Sequence, residues 1–389
     1  MPQKQAAPLL TRLDLAAWVI VGGIILFLLV VNNRLTEAVT TPTVGYLYPA
    51  YGGVQNVWFA PVEKPEEARQ ITFSEHGIYD FAASADGRYL AYSERIEPSG
   101  LHEIMLMNLQ TRQVTQVTNC VAAQADCRSP MFRPTGGAIA YERVNTNTGV
   151  GSGIGVIRIW LADISRQPYD NQPLSQDSSF IGHSPRWARD GNSLAFYSSD
   201  IANPGILVYN FNPAEGQQTL KFVPSQYGVT GALSPNGQQL VYPDLSRRPD
   251  GQVYSFLRLA DLAGLRYEDL TSPEDAVDDT DAMWNPDGET ITIARRYTDE
   301  RYTRGYQLYD LRVSDGQATP LLVDEAYSHG FFEPDKTGRL VVLQRFPLNA
   351  DNPVSSSPQV WVIDRQSKAL TLITDNAFHP RWIVGARLP

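Results

Sequence analysis

Cysteine is nearly absent from this 389-residue chain: there are two, Cys120 and Cys127. They do not form a Cys-x-x-Cys pair and no histidine stands beside them, which argues against a structural zinc site. Basic charge is also scarce. Lys and Arg number 32 against 42 Asp and Glu, a formal net charge of -10 with no basic stripe, which argues against a nucleic-acid partner. A Gly-x-Ser-x-Gly nucleophile elbow is missing, and His102-Glu103 lacks the second histidine of a zinc-protease helix, so catalysis finds little support. Low-complexity tracts are missing too; the one Gly-rich patch is Asn145–Gly155.

What the chain has in abundance is repetition. Arg88 onward reads RYLAYSE, Gly137 onward GAIAYER, Ser193 onward SLAFYS, Gln238 onward QQLVYPD, Glu289 onward ETITIAR and Arg339 onward RLVVLQR. Each follows a tight turn ending at Gly87, Gly136, Gly191, Gly237, Gly288 or Gly338, spaced 46 to 55 residues apart. Asp-Gly and Asn-Gly pairs suit two-residue hairpins because positive φ is cheap there. A second punctuator recurs later in each repeat: Asn108-Leu109, Asp163-Ile164, Asn210-Phe211, Asp261-Leu262, Asp310-Leu311 and Asp364-Arg365. The strands after the glycines are apolar on both faces. A half-solvated sheet would alternate, whereas a sheet packed between two others would not. Four strands per repeat of this length, both faces covered, describe a β-propeller.

The count of blades comes from the two ends. Ala377–Leu388 repeats the opening of Ile181–Gly191 and stops after one strand, while Val44–Ala50, Asn56–Ala60 and Ala68–Thr72 supply three more. Six internal blades plus one shared by the termini make seven, and closure removes the exposed sheet edges.

Trp284-Asn285-Pro286-Asp287-Gly288 and Leu233-Ser234-Pro235-Asn236-Gly237, each followed by an apolar strand, resemble the core of the TolB-type, WD-like propeller repeat. The resemblance covers nearly everything after Val44 and implies the fold together with a protein-binding role, with partners such as an envelope lipoprotein. The TolB family also has an α/β domain before its propeller, a cleaved signal and six blades, features in which this chain departs from it. The repeats are similar, too, to the propellers that cap prolyl-peptidase enzymes, which carry an α/β-hydrolase domain as well.

Ahead of the repeats, Leu15–Val31 runs 17 residues without a charge. At about 1.5 Å per residue it nearly crosses the ~30 Å hydrocarbon core, and flanking residues supply the rest. No small-x-small cleavage site follows, so an uncleaved anchor over 13–33 is preferred to a signal peptide. Lys4 and Arg12 before it, against Arg34 after it, put residues 1–12 in the cytoplasm and the propeller outside, on a 34–43 linker. In an exported chain two cysteines this close suggest a local Cys120–Cys127 disulfide, with two free thiols as the alternative.

Candidate site residues fall in three groups. His183, His329 and His379 each precede an aromatic strand end (Trp187, Phe332, Trp382), near the mouth of the central channel. Structural hydrogen bonding is favoured over metal binding, since repeat position alone explains their recurrence. Glu274, Asp275, Asp278, Asp279 and Asp281 lack EF-hand spacing and read as a solvated acidic loop. Arg295, Arg296, Tyr297, Arg301, Tyr302 and Arg304 mix the residue types enriched at interface centres, with internal ion pairing as the competing account. The connections from each repeat's second strand to its third are the long ones and share a face, where function is expected.

The expectation is therefore an all-β, seven-bladed propeller over 44–389 behind a transmembrane helix, in the cell membrane with the propeller extracytoplasmic. Its partners would be other envelope or membrane proteins and, through 13–33, the lipid bilayer, without cofactor, metal or nucleic acid. A glycan or cell-wall binding module is the second reading, and a lyase or hydrolase with its site in the channel the third.

Overall fold

The computed structural model describes residues 41–146, 155–198, 200–213, 219–248, 251–348 and 357–385. The expected anchor over 13–33 lies outside them, and no described helix is long and apolar enough to cross a membrane. The compact unit begins at Pro42.

Seven four-stranded antiparallel sheets make up this unit. Blade 1 covers 78–116, blade 2 125–173, blade 3 182–224, blade 4 232–269, blade 5 277–322 and blade 6 327–374. Blade 7 is shared by the chain ends, as the repeat count requires. Phe378–Ile383 is its innermost strand, and Thr43–Tyr48, Asn56–Pro61 and Arg69–Gln70 complete it. The closing register sets Thr43 opposite Ile383, Val44 opposite Trp382 and Gly45 opposite Arg381. The described helical turns are the short 3-10 segments Pro65–Glu67 and Pro273–Asp275.

The missing alternation in the second strands has its expected cause. Ser193–Ser198 is buried at all six positions, and Leu90, Ile139, Leu194, Leu240, Ile291 and Val341 are each fully buried between blades. Each lies three residues after a turn glycine and opposite the last residues of its innermost strand: Ala83, Phe132, Trp187, Leu233, Trp284 and Pro334. One register therefore runs around the ring.

Two recurrent contacts join blade to blade. At that strand-end position, Trp187 donates its indole N–H to Met131 O at 3.2 Å, Trp284 to Ala232 O at 3.0 Å and Trp382 to Glu333 O at 2.8 Å. Each carbonyl belongs to the innermost strand of the preceding blade. The turn glycines form the second contact. A Cβ on Gly87, whose φ is +67°, would stand 1.8 Å from Val384 O, so a bare backbone is required where blade 1 meets the chain end.

Cys120 and Cys127 form the disulfide, with Cα atoms 6.1 Å apart. It ties the connection after blade 1 to the innermost strand of blade 2. The buried Glu103 carboxylate supports that connection, accepting from the Cys120 and Val121 amides at 2.8 Å each and from Thr118 Oγ1 at 2.5 Å.

Removing residues 378–389 should abolish cooperative thermal unfolding, since it strips the partner from the strand Thr43–Tyr48; an unchanged melting curve would refute closure by strand pairing. The Cys120→Ser/Cys127→Ser double variant should lose about 2–3 kcal/mol in urea denaturation, the loop-closure entropy of so short a bridge.

Candidate binding site in the central channel

The innermost strands line the channel, and six of the seven break register at the same height. The shifts fall between Ile78 and Phe81, Arg128 and Met131, His183 and Arg186, Asp279 and Asp281, Gly330 and Glu333, and opposite Gly45–Leu47 in blade 7. A β-bulge re-aims side chains and is common beside functional sites. Three residues before the strand-end position stand Asp80, Ser129, Ser184, Phe331 and His379 in the bulges themselves, Asp281 just after the bulge of blade 5, and Thr230 just before the unbulged strand of blade 4. Four of these take positive φ, Ser129 at 53°, Ser184 at 56°, Phe331 at 46° and His379 at 52°. A backbone conformation that costs about 1 kcal/mol or more, repeated at one level of a ring, marks a shaped surface.

Two residues nearer the tight-turn face stand Arg186, Glu333 and Arg381, with Met131 and Met283 beside them. Arg186 Nη1 reaches Met283 Sδ at 3.2 Å, passing over the small Ala232 of blade 4. Asp80 and His379 approach to 3.6 Å across the junction of blades 1 and 7. The channel is thus lined by charge of both signs. Burial pushes the Asp281 carboxyl up, against the pull of Arg186. Burial likewise raises Glu333, although Arg381, Arg189 and Arg186 oppose it. Asp80 moves the other way. Burial would raise it, but the adjacent His379 ring and the nearby Arg381 outweigh that and hold it below the usual carboxylate range.

At the opposite, long-loop end three apolar side chains are exposed. Tyr79 is 47% exposed, Val229 36% and Phe331 55%, all on or just before an innermost strand. Phe331 lies against His379 at 5.5 Å and Phe346 at 6.5 Å, and Arg128 sits over the Tyr79 ring at 4.6 Å.

The three histidines occupy different levels. His379 is at the bulge, His183 one residue earlier and His329 two residues earlier. Aligning Phe332 with Trp187 displaces the comparison by two, because Pro334 is the residue paired like Trp187. His183 Nδ1 meets Ser184 Oγ at 2.9 Å. His329 is buried, and neither ring nitrogen has a protein partner. Burial, aided by the Arg345 guanidinium and opposed by Asp324, drives its pKa down to about 3. Among the described residues no three His, Cys, Asp or Glu side chains converge as a metal set would.

The acidic segment is not the solvated loop expected from its composition. Glu274 and Asp275 are exposed in a 3-10 turn, but Asp278, Asp279 and Asp281 belong to the strand Val277–Trp284. Asp279, fully buried, receives Arg295 Nε at 2.7 Å and Nη2 at 2.9 Å. Asp278 accepts from Arg296 Nη2 at 2.6 Å, Ser255 Oγ at 2.7 Å and Tyr306 OH at 2.8 Å. Burial would raise its pKa, and these donors bring it below the usual range instead. An even mixture of charges looked like surface because the fold pairs them one to one. Arg301 binds Asp299 and lies 3.8 Å from the Tyr297 ring centre, and Arg304 donates to Leu348 O at 3.0 Å. Tyr302 is 57% exposed.

No family model and no curated protein matches the sequence. Solved structures do. The β-propeller domain of the Trilobed protease from Pyrococcus furiosus, described as having an open velcro topology, matches with a TM-score of 0.56 at 12% identity, over 86% of this chain and 94% of that one. A structure from a study of two prolyl endopeptidases matches with a TM-score of 0.57 at 9% identity, over 87% of this chain and half of that one. TolB from Acinetobacter baumannii matches at 17% identity with a TM-score of 0.48, over 88% of this chain and 66% of that one. The strand closure and the two higher-scoring neighbours establish the architecture. The chain folds as a seven-bladed β-propeller. At these identities the likeness fixes the fold alone, and two of the three neighbours come from peptidases, so fold does not separate binding from catalysis. Unlike the velcro described for the archaeal domain, the one in this ring is closed.

The stability of the protein should fall as pH drops from about 6.5 toward 3, because the unfolded chain protonates His329 and the folded one does not. That group alone contributes up to about 1.4 kcal/mol per pH unit. Urea denaturation of wild type and His329→Phe at pH 7, 5.5 and 4.5 should therefore show the variant gaining on wild type as pH falls. Parallel curves would refute the assignment.

Proposed function

We propose that this chain is a non-enzymatic docking module of a cell-envelope complex, held at the membrane by the apolar segment 15–31 and receiving a partner protein on the long-loop mouth of its channel. One observation carries the reading: Tyr79, Val229 and Phe331 are apolar and exposed at the long-loop ends of the innermost strands of three blades. Exposed apolar groups rimmed by polar ones are typical of protein contact sites. Bulged strands hold them on a rigid scaffold, so little ordering entropy is lost on binding. The disulfide agrees with an oxidising compartment.

Chemical crosslinking of the full chain in its native membranes, followed by mass spectrometry, tests this. A Tyr79→Ser/Phe331→Ser variant should lose at least tenfold of its principal crosslinked partner, while Val114→Ser on an outer strand retains it. Equal capture by both variants would sink the docking assignment. Release of the full chain from membranes by carbonate would separately sink the anchor.

A further inference from the structure

The junctions between blades at the tight-turn face are closed by the same device, with one exception. A Cβ built on Gly191 would meet Thr135 Oγ1 at 2.9 Å, on Gly237 the Ala188 Cβ at 3.3 Å, on Gly338 the Pro286 Cδ at 3.1 Å, and on Gly288 the Pro235 Cδ at 4.0 Å. With Gly87 against Val384, five of the six turn glycines touch the blade before them. Gly136 does not: nothing stands within 4 Å of its Cβ position, nor of that of Gly137, which also takes positive φ. Between blades 1 and 2 the face opens into a cavity of about 300 Å³.

Neighbouring junctions show what would have closed it. Between blades 2 and 3, Arg133 bonds Gly191 O at 2.7 Å and lies over the rings of Trp187 and Phe211. Between blades 5 and 6, Arg365 crosses to Asn285 at 2.6 Å and pairs with Asp310. The residue of blade 2 at the place of Arg365 is Ile164. It lines the cavity without spanning it.

We propose that this opened junction is a saccharide-binding site that takes a single hexose-sized ring. Its volume is at the low end for ligand pockets and admits one such ring. Its floor is apolar, Leu106 with Ile164, and its walls include Tyr89 and Tyr169. The Tyr169 hydroxyl is held by Thr115 Oγ1 and Gln167 Nε2 at 3.1 Å each, which fixes its ring in place. On the rim, Asp86 is oriented by Ser84 Oγ and Arg88 Nε, both at 2.6 Å. A sugar matches both halves: its C–H face covers tyrosine, and its hydroxyl edge meets an acceptor and a donor side by side. A wholly apolar guest would cover the Asp86–Arg88 pair without replacing its water contacts.

Saturation-transfer NMR on the full chain in a sugar-free detergent tests the site, with methyl α-glucoside, methyl α-galactoside, N-acetylglucosamine and p-cresol as probes. At least one sugar should give a saturable signal with a dissociation constant on the order of millimolar. That signal should drop at least tenfold in Ile164→Arg, which mimics the closed junction, and in Tyr169→Ala, while Tyr302→Ala leaves it unchanged. Should Ile164→Arg fail to fold, Tyr169→Ala carries the comparison. No saturable sugar signal, a sugar signal undiminished in a folded variant, or saturable binding of p-cresol alone would each overturn the proposal, the last by making the cavity a seat for an aromatic side chain.

Discussion

The ring depends on contacts that only a bare backbone allows. At the tight-turn face blades meet where a turn glycine of one approaches a carbonyl or a small side chain of the blade before it. Gly87 against Val384 is the extreme case, with no room for a single methyl group. Positive φ turns the strand and the missing Cβ lets the preceding blade close on it, so one residue meets two requirements. Apolar second strands then fill the space between sheets, and pairing of Thr43–Tyr48 with Phe378–Ile383 turns a row of blades into a circle.

The architecture was legible because that requirement repeats. The period of the glycines, the apolar runs behind them and the partial repeats at the two ends together predict seven closed blades. What was not legible was the fate of charge. Arg295, Arg296 and the aspartates Asp278 and Asp279 look like two surface clusters in the sequence, yet one strand register sets them opposite each other as ion pairs, the Asp279–Arg295 pair fully buried. Local composition records how many charges a segment has; strand pairing decides whether they meet water. The bulge ring was missed for a related reason. Ser129, Thr230 and Phe331 share no chemistry, and their common position appears only when strands are aligned by pairing rather than by nearby aromatics.

That ring gives the channel two unlike ends. Towards the tight turns it is lined with Arg186, Glu333 and Arg381, and towards the long loops it shows tyrosine, valine and phenylalanine. The bulges contribute to the division by turning residues out of the regular pleat in six of the seven blades. The exposed apolar side chains are the part with free energy to gain from being covered.

The indole donors of Trp187, Trp284 and Trp382 fall on every second blade. Such alternation suits an even ring and cannot be perfect in an odd one. Its parity fault lies at blade 1, which has alanine at the strand-end position and no tryptophan bond on either flank. The covalent bridge from Cys120 to Cys127 stands on one of those flanks. Seven-fold geometry thereby couples the ring to its redox surroundings: in a reducing compartment the wedge without a tryptophan bond on either flank would also lose its covalent clasp.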